Sequence, residues 1–143
     1  MPIVHFHLLE GASTPAQEEQ LLLAACRLYA EVLDAPIDRI RAFITAHPTG
    51  RFAVGGELAT FVTGHAPYFD FIVLAGRPVD QRHRLLEGFT RLLVEILGVS
   101  REMVRGECRQ VAPEDWGIGG IPASAARKAE VDARTVAGQA TRP

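Results

Sequence analysis

No apolar run in this chain approaches the length of a membrane span, and no charged leader precedes a long hydrophobic stretch. Neither bilayer insertion nor secretion is expected. Cysteine is scarce: Cys26 and Cys108 lie far apart in apolar surroundings and read as reduced core thiols of a cytoplasmic protein. Net charge is small, 15 basic against 17 acidic residues, so no basic surface points to nucleic acid or acidic lipid. The pairs Gly55-Gly56 and Gly119-Gly120 lack the strand-to-helix context and following lysine of a phosphate loop. His5 and His7 share one strand face, but no third ligand is indicated beside them, and no metal is expected. What is present is ordinary globular composition, 48% hydrophobic and 22% charged over 143 residues, enough for one domain.

The chain also contains itself twice. PIVHFHLLEG (2–11) is answered by PYFDFIVLAG (67–76), VLDAPIDRIR (32–41) by ILGVSREMVR (96–105), and GRFAVGGELA (50–59) by EDWGIGGIPA (114–123). Three blocks in one order at a spacing of 64 or 65 residues mark a tandem duplication. Each copy opens with a strand; in the first, Val4, Phe6 and Leu8 alternate with His5 and His7. A helix follows, announced by Thr14 as N-cap, Pro15 at the first position and Gln17 three residues on. Leu22, Cys26, Tyr29 and Leu33 form its apolar stripe, and Leu85, Phe89, Leu92 and Ile96 that of the second helix. Second strands are expected at 41–46 and 104–111, each followed by a glycine-rich hairpin.

Strand, helix, strand is a βαβ unit with parallel strands. Two units give an α/β (α+β) domain over 1–124: a four-stranded sheet with both helices on one face. The repeats run 2–59 and 67–124, joined by a linker at 60–66. The bare sheet face would be covered by other subunits. Residues 125–143 have few large apolar side chains and read as an arm over a neighbouring subunit or a disordered tail.

The motifs PI-x3-HLLEG, LDAP-x3-IR and GRF-x2-GGELA resemble 4-oxalocrotonate tautomerase and the wider tautomerase superfamily, over nearly all of 2–59 and again over 67–124. The resemblance implies the fused, double-repeat form, assembled as a homotrimer and needing no cofactor or metal. It also implies an amino-terminal proline as catalytic base and acid, with arginines and an aromatic ring completing the pocket.

Carried onto this chain, the proline is Pro2, freed by removal of Met1. Its secondary amine, in an apolar site beside guanidinium groups, would be neutral at pH 7 and able to move a proton α to a carbonyl. Pro67 is locked in an amide, so one proline site per chain is expected. The family's arginine after the LEG block is Ala12 in the first copy and Arg77 in the second, which assigns Arg77 to the Pro2 pocket. Arg41 and Arg105 hold the other arginine position. Arg105 is expected to enter from a neighbouring chain, with Arg41 left near Pro67. Phe52 and Trp116 hold the aromatic position, Trp116 for the working site and Phe52 as core.

Together these residues point to a tautomerase acting on a small carboxylate of the 2-hydroxydienoate or enolpyruvate type. Asp38-Arg39, Arg77-Pro78 and Asp115-Trp116 are similar to motifs of the fused malonate semialdehyde decarboxylases, although Val79 replaces a further arginine. The fused chloroacrylate dehalogenases carry an arginine where this chain has Leu74 and an acidic, water-activating residue near the position of Ile118, and this chain lacks both. The alternatives are thus a decarboxylase or hydratase of small 3-oxo or unsaturated acids, and a catalytically idle trimeric scaffold.

Overall fold

In the computed structural model, residues 2–60 and 65–140 are described; Met1, most of the 60–66 linker and the end of the tail lie outside them. The first strand, β1 (Ile3–Leu9), buries Val4, Phe6 and Leu8 completely. Helix α1 (Pro15–Leu33) starts at a full capping box, with the Gln17 amide donating to the Thr14 hydroxyl and the Gln17 side chain accepting from the Thr14 amide. It ends at Asp34, in the left-handed conformation at φ 49°. Strand β2 (Arg41–His47) then pairs in parallel with β1. Residues Ala53–Val54 (β3) and Glu57–Leu58 (β4) form a hairpin around Gly55 and Gly56. Both glycines have positive φ (62° and 84°), as the two-residue turn with right-handed strand twist demands.

The second repeat redraws this plan with β5 (Tyr68–Leu74), α2 (Val79–Leu97), β6 (Arg105–Val111) and the hairpin β7 (Gly117–Ile118) to β8 (Ile121–Pro122). Even single hydrogen bonds recur. The Arg41 amide donates to Pro2 at 3.0 Å and the Arg105 amide to Pro67 at 3.2 Å. Ala59 donates to Phe52, and Ala123 to Trp116, each at 2.7 Å. The sheet order is β2-β1-β5-β6, the repeats meeting at an antiparallel β1–β5 pair.

Helix packing shifts the expected stripes. In α1 the sheet takes Leu21, Ala25, Tyr29, Val32 and Leu33, whereas Leu22 and Cys26 are half-buried. In α2 the buried set is Leu85, Gly88, Phe89 and Leu93, with Leu92 and Ile96 at the margin. The two helices lie in close contact. A Cβ on Gly88 would stand 2.5 Å from a methyl of Leu28, so the helices meet where one side chain is missing. Phe6, Phe69, Phe71 and Phe89 form the centre of the core beside Tyr29, whose hydroxyl donates to the Ile72 carbonyl.

Helices also run through the tail. Residues Ala123–Ala126 (α3) and Lys128–Ala140 (α4) are helical, and Arg39 binds Glu130 of α4 through both carboxylate oxygens at 3.1 and 3.2 Å. The described part of the tail thus meets its own chain through this ion pair. No helix among the described residues is long and apolar enough to cross a membrane.

Candidate active site

Pro2 is buried at the mouth of the sheet, where β1 begins and β5 ends. It lines a recess of about 20 Å³, room for little more than one water-sized group, with Leu33, Ile72, Val73 and Leu74 as apolar walls. Arg39, Arg77 and Arg134 line the same recess. A wider groove of about 450 Å³ shares those three arginines and adds Gln81 and Glu130. The arrangement is a small recess with apolar walls beside the proline, opening into a cationic groove.

Each arginine is positioned by a different element. Arg77 follows β5, and its guanidinium donates to the Leu33 carbonyl at 2.8 Å, closing the orphaned end of α1. Arg39 leads into β2 and binds Glu130. Arg134 comes from α4, one turn beyond Glu130 and 3.7 Å from its carboxylate. Burial, and then the nearness of Arg134, lower the Arg77 pKa to about 10. Burial, then Arg39, lowers that of Arg134. Three cations face two carboxylates here, Glu130 and Asp34, which leaves an excess positive charge that an incoming carboxylate would balance.

The other candidates lie elsewhere in the chain. Within its own chain the backbone amide of Arg41 donates to Pro2, because parallel pairing with β1 puts the start of β2 beside the start of β1. Arg41 and Trp116 line a separate groove of about 320 Å³ over Ile3, the residue after Pro2, so Trp116 neighbours the recess without lining it. Arg105 is exposed at the far end of the sheet, beside Pro67. Phe52, expected as core, is half-buried and packs edge-on against His47, 6.0 Å between ring centres.

Two arginines of the recess were not among the expected site residues. Arg39 stood in the Asp38-Arg39 motif without an assigned place. Arg134 had a weak signal, its four-residue spacing from Glu130, which with Lys128 and Asp132 favours a helix.

Two stretches, 2–61 and 67–126, match the model of the family described as tautomerase enzyme. The chain belongs to the tautomerase family. It is an isomerase of that kind, in the fused two-repeat form. It is 42% identical over 62 residues to a 2-hydroxymuconate tautomerase of Pseudomonas putida, covering 43% of this chain and 97% of that protein. A probable tautomerase of Ralstonia nicotianae is 31% identical over 68 residues, 48% of this chain and 97% of its own. Among solved structures, native fused 4-OT superposes with a TM-score of 0.80 at 23% identity, over 86% of this chain and 97% of that one. A fused 4-OT described as a symmetric trimer gives 0.78 at 25%, over 87% and 98%.

Proposed function

We propose that this tautomerase isomerises a small 2-hydroxydienoate, of the 2-hydroxymuconate kind, with the free amine of Pro2 as base and acid after Met1 is removed. The observation that carries this reading is the shared recess of Pro2 and Arg77. The amine takes the enol hydroxyl proton, the double bonds shift, and the same proton is returned to carbon, so no atom is gained or lost. Apolar walls disfavour the charged amine and keep it neutral near pH 7. Arg77 holds the carboxylate and the developing charge on the 2-oxo group, while Arg39 and Arg134 receive a second carboxylate in the groove.

A homotrimer completes the site, Arg105 of one chain reaching the Pro2 recess of the next. Its exposure at the end opposite its own Pro2 supports this, as do fused relatives described as trimers. The cytoplasm suits the free thiols Cys26 and Cys108. Turnover of 2-hydroxymuconate and phenylpyruvate by wild-type and Pro2→Ala protein tests the reading, and undiminished turnover in the variant would defeat it. Arg39 in the recess favours decarboxylation of a small 3-oxo acid as a second reading; carbon dioxide release from malonate semialdehyde separates the two.

A further inference from the structure

The sheet face opposite the helices carries a cluster with no part in this chemistry. His5 and His7 project from β1 on that face, alternating with the buried Val4, Phe6 and Leu8. The antiparallel register sets Asp70 of β5 directly across from His5. Cross-strand partners share a face, so a carboxylate more than sixty residues away in sequence arrives between two imidazoles. One ligand atom from each of His5, His7 and Asp70 lies within 4.8 Å of the other two.

The contacts around His7 are those of a ligand held ready. Its Nδ1 is 2.8 Å from Nε2 of His47, a hydrogen bond that holds the ring in place; with Nδ1 as the donor, Nε2 carries the free lone pair a metal needs. Its Nε2 faces Asp70 Oδ2 at 3.7 Å, too far for a hydrogen bond. Two atoms sharing one tetrahedral zinc, at bond lengths near 2.0–2.1 Å, stand roughly 3.4 Å apart. The gap is therefore close to that spanned by an ion, and small side-chain rotations close it. His5 is steadied by Thr45, 2.6 Å from its Nε2. The nearby Glu107 is engaged by the Tyr68 hydroxyl at 2.8 Å and by Arg109 at 3.4 Å, which also gives that cation a carboxylate of its own.

We propose that His5, His7 and Asp70 bind one borderline divalent ion, zinc or a metal of similar preference, with His47 as the outer partner of His7. Two imidazoles and a carboxylate suit such an ion and leave a position for water. The site is structural rather than catalytic. His7 lies five residues along β1 from Pro2, roughly 16 Å at the rise of a strand. Its ligands come from β1 and β5, the strands where the two repeats join, so the ion would tie one repeat to the other.

The test uses tag-free, full-length protein stripped with chelator and titrated with zinc against a chromophoric competitor, and separately with cobalt. The expected result is one zinc per chain and tetrahedral cobalt absorption bands. Asp70→Asn and His7→Gln should each weaken zinc at least tenfold, while His83→Gln, on an exposed helix position, should not. Zinc loading should raise the melting temperature of wild type and leave turnover unchanged. Absence of stoichiometric binding, or binding that Asp70→Asn and His7→Gln both leave intact while the proteins remain folded, overturns the proposal. The cobalt spectrum of wild type reads the ligands even where a variant fails to fold; absence of bands in the d–d region counts against them.

Discussion

Replacing Arg77 by alanine separates binding from stability in a way few substitutions here can. The guanidinium has five N–H groups, one of which is used on the Leu33 carbonyl. The remainder suffice for a two-pronged grip on a carboxylate. Hydrogen bonds to charged groups contribute about 1.5–3 kcal/mol each, so loss of that grip should cost the transition state about 2–4 kcal/mol. At 1.4 kcal/mol per decade, kcat/KM should fall about 30- to 1,000-fold. Folding should respond much less. Loss of the Leu33 bond destabilises α1, but loss of a half-buried cation facing Arg134 relieves repulsion and desolvation, and the two nearly cancel. The net change should stay within about 1 kcal/mol, a few degrees in melting temperature. Steady-state kinetics with 2-hydroxymuconate and a thermal melt measure both. A folded Arg77→Ala protein retaining kcat/KM within threefold of wild type would refute the assignment.

Four further outcomes follow from the same geometry. Pro2→Ala and Arg105→Ala chains, each impaired alone, should regain turnover when unfolded and refolded together, because mixed trimers contain sites with both residues; no recovery would remove Arg105 from a neighbour's site. Glu130→Gln should lower KM for an acid about two- to fivefold, since a partly exposed carboxylate competing for Arg39 and Arg134 is neutralised; an unchanged or higher KM counts against a substrate role for those arginines. Gly106→Ala should destabilise the fold by about 1–3 kcal/mol in urea, because the new Cβ would meet the fully buried Phe69 ring at 2.2 Å. Arg77, lowered to about 10, is charged throughout pH 6–9, so affinity for a carboxylate inhibitor should be flat with respect to this group there and decline only as pH passes about 10. The stability contribution has the opposite sign: a cation held below its unfolded value makes the fold more stable, not less, as pH rises above about 10.

The elements were legible because each carries a local signal. Alternation at Val4, Phe6 and Leu8, the Thr14 capping box, and the glycine pairs with positive φ are all written within a few residues of one another. The duplication did the rest, since one reading of βαβ served twice. The stripes were half legible: Tyr29, Leu33, Leu85 and Phe89 are buried as expected, whereas Leu22, Cys26, Leu92 and Ile96 are not, since which flank of a helix is covered depends on its tertiary neighbours. Arg77 could be paired with Pro2 from the asymmetry of the repeats, and the two do line one recess. Arg134 could not, for its place depends on Glu130 meeting Arg39, a contact of 91 residues' separation. Asp70 was missed as a partner of His5 and His7 for the same kind of reason: strand register is a tertiary property.

The intact mass of catalytically active protein bears most directly on the proposed mechanism. A base made from Pro2 requires that the chain begin there, so active protein should be lighter than the encoded chain by one methionine residue. A sample that turns over 2-hydroxymuconate at full rate while every chain still carries Met1 would contradict it.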